Sequence, residues 1–375
     1  MPECLLLTQS GHSRLTIAAV QLDPNPISSI ANPCCNRVLF GVVPALVKAM
    51  RRRDFIKVTA GLVAIRSLAA RAQERRIYRL GFLVPAQPTA PAVTAFFDEL
   101  RQNGFTEGDN LTIIPGGFEI ADDHLAEEAA ALIKAAPDAI VAGPELPLHA
   151  LQALTHTVPL VGMAEDMVAA GFVRSLAHPG GNITGISVLS PELDGKRQDI
   201  LIEMVPEARR IGAVADGRIT PTFHSEALQQ AARSRGVDLS IFTVKEPKEI
   251  KAAIEAAKVS NCEAINFLAS PMFSLPGSRN YEVVVEVIGA ARLPAIFQWP
   301  ETAEAGSLAG YGPRLSDMFR QRARIVAKIL RGTNPADIPV EQPARFELVI
   351  NLKAANAIGL NVPASLVARA DKVIE

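Results

Sequence analysis

Eleven residues with the chemistry to hold a small molecule lie just after short apolar runs of the sequence. Carboxylates among them suit a cationic group, backbone amides at helix starts suit an anionic group, and aromatic rings suit an apolar body. These candidate ligand-binding residues are Gln87, Gly143, Pro144, Glu145, Glu165, Asp166, Asp216, Ser270, Phe273, Gln298 and Trp299. Their mixture predicts a site for an amino acid or a similar small aromatic or amphipathic solute.

Several of these candidates also have a purely structural explanation. A helix cap or a solvated loop charge is the alternative for Glu145 and Glu165. Asp166 and Asp216 each follow directly on a predicted strand, which favours a ligand-binding role. Trp299, the only tryptophan in the chain, is equally suited to packing between two domains.

The sequence lacks the residue spacings that are typical of catalytic, metal and nucleotide sites. Its histidines form no H-E-x-x-H motif, and no G-x-S-x-G elbow occurs. The glycine-rich stretch 178–185 has neither a dinucleotide fingerprint nor a P-loop ending, so a tight turn before a hinge explains it better. A polar helix start accounts for residues 122–124 better than a metal cluster does. We therefore expect no enzyme activity, no metal and no cofactor.

Strands and helices alternate along the chain after about residue 76, and the alternation occurs twice. The first set has predicted strands at 76–84, 111–114, 138–142 and 158–161 and helices at 92–103 and 124–135. The second set has strands at 210–215, 239–244, 263–268 and 293–297 and helices at 225–235 and 249–259. Matching positions lie roughly 125 to 135 residues apart, which indicates a duplicated domain. A long amphipathic helix at 315–330 and a last strand at 346–352 follow.

This alternation predicts an α/β fold with two doubly wound parallel-sheet lobes, because strands separated by helices form parallel sheets. We place lobe I at 76–187 plus 305–333, and lobe II at 188–304 plus 334–375. In open parallel sheets a ligand binds beyond the carboxyl ends of the strands, where the eleven candidates fall. The expected site is therefore a cleft between the lobes.

An export signal is predicted at residues 50–72. Arginines at 51–53 precede a mildly apolar run at 58–70 and an Ala-Arg-Ala-Gln sequence at 70–73, which is the order of a cleavable signal. The tandem arginines resemble the twin-arginine export motif. We infer that Met50 is the true start and that residues 1–49 are an untranslated or disordered leader. The expected location of the mature protein is the periplasm.

Charge gives no reason to expect a polyanionic partner. Lysine plus arginine number 38 and aspartate plus glutamate number 39, so the net charge is close to zero. We expect a monomer whose partner is a small molecule, without nucleic acid.

Several longer stretches together resemble a known family. They are Ser-Leu-Ala-His-Pro-Gly-Gly-Asn-Ile-Thr-Gly at 175–185, Glu-Leu-Asp-Gly-Lys-Arg at 192–197, and the closing segments at 336–343, 346–353 and 369–375. They are similar to the ABC transporter substrate-binding family that includes tryptophan/tyrosine-binding proteins, and the similarity extends from about residue 76 to the end. This resemblance implies a type I periplasmic-binding fold with a three-crossover hinge, lobe closure around a small solute, and delivery of that solute to an ABC permease in the inner membrane.

The sequence departs from the family pattern at three places in the expected cleft. These are Gly-Pro-Glu-Leu-Pro at 143–147, Asp-Met-Val at 166–168 and Asp-Gly at 216–217. The resemblance therefore does not identify the solute. A ligand-sensing receptor module of the same fold is the alternative function.

Overall fold

The computed structural model describes residues 5–9, 15–19, 76–120, 124–188, 190–219, 222–276 and 278–375. The chain divides into two units, residues 1–74 and 75–375. In the first unit, strands β1 (Leu5–Gln9) and β2 (Leu15–Ala19) pair antiparallel. The export signal predicted at 50–72 lies outside the described residues.

A five-stranded parallel sheet and its helices form what we call the first lobe. Its elements are β3 (Tyr78–Leu83), α1 (Pro91–Gln102), β4 (Leu111–Ile113), α2 (Leu125–Lys134), β5 (Ala139–Ala142), α3 (Glu145–Leu154), β6 (Leu160–Ala164) and β7 (Ile183–Ser187). The strand order is β4-β3-β5-β6-β7, and every neighbouring pair is parallel. The apolar strand β5 is fully buried because helices cover both faces of the sheet.

A seven-stranded sheet and its helices form the second lobe. The remaining elements of the chain are α4 (Ser190–Met204), β8 (Arg210–Asp216), α5 (Thr222–Ser234), β9 (Asp238–Val244), α6 (Ile250–Val259), β10 (Ala264–Phe267), α7 (Pro271–Ser274), α8 (Arg279–Ala291), β11 (Ala295–Phe297), α9 (Pro300–Glu304), β12 (Ala309–Gly312), α10 (Leu315–Leu330), β13 (Glu347–Asn351), α11 (Leu352–Ile358), α12 (Ala364–Arg369) and β14 (Lys372–Ile374). All except α10 belong to this lobe.

The predicted duplication is confirmed by the order of the strands. In the second sheet the order β9-β8-β10-β11-β12 repeats the order β4-β3-β5-β6-β7 of the first sheet. The second sheet continues with β13, which is antiparallel to β12, and with β14, which is parallel to β13. Parallel strands only were expected from the sequence. The chain that returns from the first lobe instead adds two strands, β13 and β14, that run opposite to β12.

The described chain passes between the two sheets three times: between β7 and α4, between β12 and α10, and between residue 341 and β13. Helix α10 packs on α1 and on the first sheet. After α10, the backbone of Glu341 still bonds to that of Gly185 in β7, with N···O 2.9 Å.

Two segments therefore contact the sheet of one lobe although the sequence assigned them to the other lobe. Residues 309–312 pair in the second sheet, whereas 305–333 was assigned to lobe I. Residues 338–341 contact the first sheet, whereas 334–375 was assigned to lobe II. Composition does not reveal which sheet a short apolar segment will join, because both sheets offer the same kind of edge.

Each lobe has its own apolar core. Helix α10 contributes an apolar stripe that includes Leu315, Phe319 and Val326 to the core of the first lobe. Cys262 is buried in the core of the second lobe. None of the helices in the described ranges is long and apolar enough to cross a bilayer.

Candidate functional site

The carboxyl ends of strands from both sheets meet at a cleft whose empty space, including the part open to solvent, is about 530 Å³. From the first lobe the wall comes from the residues after β3, β5 and β6, and from α10; from the second lobe it comes from the residues after β10 and β11. The lining residues are Val84, Pro85, Ala86, Gly143, Pro144, Met163, Ala164, Glu165, Val188, Pro271, Leu275, Gln298, Trp299, Leu315, Phe319 and Arg322. This cleft, which we call the main cavity, contains five of the eleven predicted site residues.

One glycine of this set is required by the backbone itself. Gly143 follows β5 with φ of 142°, a region that other residues rarely adopt. A β-carbon there would lie 2.7 Å from the carbonyl oxygen of Met163 in the neighbouring strand. The bare backbone at Gly143 therefore lets β5 and β6 approach each other closely under the cavity floor.

Trp299 is the largest apolar side chain that the second lobe contributes to the main cavity. It follows strand β11 and is 5% exposed. Its side chain belongs to the same buried cluster as Leu315 and Phe319, which lie on α10 of the first lobe. Trp299 thus lines the cavity and also packs against the first lobe, which is the packing role considered from sequence.

A polar contact crosses the cavity beside this tryptophan. Gln298 of the second lobe donates its side-chain N–H groups to both carboxyl oxygens of Glu165 of the first lobe, with N···O distances of 3.3 Å. The Oε1 atom of Gln298 is buried and has no hydrogen-bond partner. The cavity therefore contains an unsatisfied acceptor next to the interlobe bond.

Glu145 and Glu165 form a close pair of carboxylates. The Oε1 atom of Glu145 accepts a hydrogen bond from the backbone N–H of Glu165, with N···O 2.6 Å, while its Oε2 atom is buried without a partner. Burial raises the pKa of Glu165 well above its usual range, and the negative charges of Glu145 and Asp194 raise it further. Burial also raises the pKa of Glu145, which the backbone N–H of Glu165 partly offsets. This pair would be stabilised in its ionised form by a cationic ligand group.

Glu165→Gln is expected to be more stable than the wild type at about pH 8 and of nearly equal stability at about pH 4. Because folding raises the pKa of Glu165, its carboxyl loses its proton at a lower pH in the unfolded chain than in the folded protein. The contribution of the protonated carboxyl to stability is therefore complete in acid and is lost as the pH rises through the folded pKa. Glutamine does not titrate and avoids this loss. Melting temperatures of both proteins across the pH range measure the difference.

Glu263→Gln provides a control of opposite sign. Glu263 accepts backbone hydrogen bonds from Arg209 and Arg210, with N···O distances of 2.6 and 3.0 Å, and these bonds lower its pKa. Its substitution is expected to destabilise at neutral pH, with the difference shrinking in acid. A pH-independent difference for Glu165→Gln would contradict the electrostatic account of the site.

A second cavity, of about 410 Å³, shares Pro85, Pro144 and Pro271 with the main cavity. Its wall includes Glu145 and Asp216. The carboxylate of Asp216 is bound within the protein: Arg218 donates to both oxygens at 2.9 and 3.0 Å, and the hydroxyl of Ser270 donates at 2.9 Å. Asp216 therefore has less capacity for a ligand than its position after β8 suggested.

A fully buried ion pair is present in α4. The guanidinium of Arg197 contacts the carboxylate of Asp194, and its Nη1 atom donates to the carbonyl oxygen of Tyr311 at 3.1 Å. The side chains of both Asp194 and Arg197 are 0% exposed. The charge of Asp194 raises the pKa of Glu165 and the charge of Arg197 lowers it, so the pair is part of the electrostatic environment of the main cavity.

Four of the predicted site residues line neither cavity. Gln87 is exposed, and Asp166 accepts hydrogen bonds from the backbone N–H groups of Val168 and Ala169, both at 2.9 Å. Phe273 is fully buried against Phe267, with ring centroids 5.7 Å apart. Ser270 bonds to Asp216 and accepts from the backbone N–H of Met272 at 3.0 Å. These residues follow strands as expected, but their side chains turn to solvent, to their own loop or to the core.

The most informative residue that sequence reasoning missed is Arg322 on α10. It is fully buried and lines the main cavity together with Leu315 and Phe319 of the same helix. The sequence did contain a signal, because a charged residue occupies the apolar stripe 315, 319, 322 and 326 of an otherwise amphipathic helix.

Comparisons with known proteins agree with this geometry. The family model described as ABC transporter substrate binding protein matches residues 86–374. A tyrosine-binding protein of Clostridioides difficile is 24% identical over 275 residues, which cover 72% of this chain and 76% of that protein.

Solved structures show the same architecture. A conserved domain protein from Vibrio cholerae has a TM-score of 0.69 and 24% identity, covering 80% of this chain and 100% of that one. An ABC domain from Streptococcus pneumoniae in complex with L-Trp has a TM-score of 0.68 and 21% identity, covering 80% of this chain and 99% of that one. These likenesses confirm the type I periplasmic-binding fold that was expected from sequence.

Proposed function

The chain belongs to the ABC transporter substrate-binding protein family, and we propose that it captures a small solute in the main cavity and delivers it to an inner-membrane ABC permease. The observation that carries this proposal is a largely apolar cleft whose walls come from both lobes. Its apolar wall and its few polar side chains suit a small solute with an apolar body and a polar end. The protein binds and releases this solute without changing it chemically.

The proposed solute contacts fall on both sides of the cleft. Trp299 and Phe319 enclose the apolar body of the solute, and Glu165 with Gln298 contacts its polar end. Gly143 and Pro144 form the floor of the site, and Glu145 and Asp216 extend it into the second cavity. A solute that touches both lobes stabilises their closed arrangement, because part of its contacts exist only there. This closed form is the one that the permease recognises.

The proposed location is the periplasm, after export by the signal predicted at 50–72. Mass spectrometry of the mature protein is the direct measurement, with an N-terminus near residue 73 as the expected result. A mature chain that retains residues 50–72 would contradict export by this signal.

A melting-shift screen tests the proposed function. The screen compares aromatic amino acids, aliphatic amino acids, aromatic acids, aromatic amines and neutral aromatic compounds with the purified mature chain. At a concentration 100 times its dissociation constant, a true ligand adds about 2.7 kcal/mol to the free energy of unfolding and raises the melting temperature accordingly. The expected result is a dose-dependent rise for at least one aromatic class, confirmed by calorimetry. No rise with any class would contradict the proposal.

A further inference from the structure

A buried cation lines the main cavity without an acidic partner. Arg322 lies in the middle of α10 and is fully buried, and it is one of the residues that line the main cavity. The guanidinium carbon lies 5.2 Å from the ring centroid of Phe319, one turn earlier on the helix. Arginine is seldom placed in such an apolar wall unless its charge is compensated.

The protein itself satisfies only one side of this guanidinium. The Nη2 atom donates to the carbonyl oxygens of Ala142 and Val161, in β5 and β6, at 2.5 and 3.1 Å. The Nε atom is buried and has no hydrogen-bond partner. Backbone carbonyls accept hydrogen bonds but carry no net charge, so the positive charge of Arg322 is not neutralised by these contacts.

No acidic side chain in the described part of the chain compensates this charge. Burial alone lowers the pKa of Arg322, to about 9, so the group is still charged at neutral pH. Glu165 lines the same cavity, but Arg322 is not among the groups that shift the pKa of Glu165. The cavity therefore has an uncompensated positive group on the α10 side and a surplus of carboxylate on the Glu165 side.

We propose that Arg322 binds an anionic group of the solute and that the solute class is a carboxylic acid with an apolar body. This inference rests on the proposed function, since it names the chemistry of the solute that the main cavity takes. A carboxylate that accepts from the free Nε–H forms a charge-assisted hydrogen bond and neutralises the guanidinium in one contact. The apolar walls from Leu315, Phe319 and Trp299 enclose the rest of the molecule. An amine on the same solute would lie toward Glu165 and Gln298.

A purely structural role for Arg322 makes different predictions. If the side chain only ties α10 to the ends of β5 and β6, its loss lowers stability and weakens all solutes equally. If it recognises a carboxylate, its loss weakens acids selectively. A comparison of each acid with its own primary amide separates the two roles, because the two molecules differ in charge and hardly in shape.

The experiment measures binding by calorimetry for four proteins: the wild type, Arg322→Gln, Arg322→Lys and Arg320→Gln. Arg320 is a matched control on the same helix, since it pairs with Asp317 at 2.7 Å and lies outside the cavity wall. The probes are L-tryptophan with L-tryptophanamide, and indole-3-propionate with indole-3-propionamide. Tryptamine and indole complete the set.

The wild type and Arg320→Gln are expected to bind the acids about 100-fold more tightly than the amides. Arg322→Gln is expected to reduce acid affinity to the level of the amides, and Arg322→Lys to retain part of the preference. Three results would each overturn the inference while leaving solute capture intact. In the first, the amides bind the wild type as tightly as the acids do, and in the second, tryptamine alone binds tightly. The third result is a ratio of acid affinity to amide affinity that does not change in Arg322→Gln. If Arg322→Gln does not fold, the wild-type ratio and Arg322→Lys decide the question. Failure of all these probes to bind the wild type would also overturn the inference, and only together with no rise for any class in the melting-shift screen would it contradict the proposed function.

Discussion

Arg197→Met is expected to lower the free energy of unfolding by about 3–5 kcal/mol. Arg197 and Asp194 are both fully buried, so removing the guanidinium leaves a carboxylate in an apolar environment without its counter-ion. The lost hydrogen bond to the carbonyl oxygen of Tyr311 adds to the cost. Urea unfolding followed by circular dichroism measures this change. The dependence of the free energy of unfolding on urea concentration must be the same in the variant and in the wild type.

The double variant Asp194→Asn/Arg197→Met is the matched control for this prediction. Removing both charges eliminates the buried carboxylate that has lost the guanidinium of Arg197, so the double variant is expected to be more stable than Arg197→Met alone. Arg369→Met removes an exposed ion pair with Glu203, whose N···O distance is 2.8 Å, and is expected to cost less than about 1 kcal/mol. A cost for Arg197→Met as small as that of Arg369→Met would show that the buried pair does not contribute to stability in the way described.

Trp299→Ala is expected to weaken solute binding by about 100-fold or more. The indole ring is the largest apolar surface that the second lobe presents to the main cavity, and it packs against α10 of the first lobe. Truncation removes both the contact with the solute and an apolar link between the lobes. Calorimetry with the best solute from the melting-shift screen measures the affinity of the variant and of the wild type.

Phe273→Leu serves as the control for Trp299→Ala. Phe273 was also a candidate from sequence, but its ring lies in the core of the second lobe and outside both cavities. Its substitution is expected to reduce stability by roughly 1 kcal/mol with little change in solute affinity. Equal losses of affinity in the two variants would place the solute elsewhere, or would mean that both act only through stability.

The fold was predictable from sequence where apolar runs were short and bounded by turns. Strand Ala139–Ala142 is a continuous apolar segment and Ala264–Phe267 is apolar except for Asn266, and the repetition of such segments along the chain indicated two sheets. The partners of the short strand Ala309–Gly312 and of the antiparallel strand Glu347–Asn351 depend on contacts between distant segments. Such contacts leave no periodic signal in the local sequence.

The site was predictable only to the level of the loops that form it. The rule that ligands lie beyond the ends of parallel strands selected Gly143, Glu165 and Trp299, which do line the main cavity. The rule does not give the direction of a side chain, so it also selected Asp166, whose carboxylate binds its own loop. It omitted Arg322, because α10 reaches the cavity wall from a distant part of the sequence.

Small-angle scattering with and without the best-binding solute tests the central claim most directly, since that claim is capture of a small molecule between two lobes. The hydrogen bond from Gln298 to Glu165 joins the two lobes in the structure and would break if the lobes moved apart. The account predicts that the solute-free protein has a larger radius of gyration, and that saturating solute reduces it to the value calculated for residues 76–375 of the structure. Tight solute binding by the wild type with an unchanged radius of gyration would contradict it.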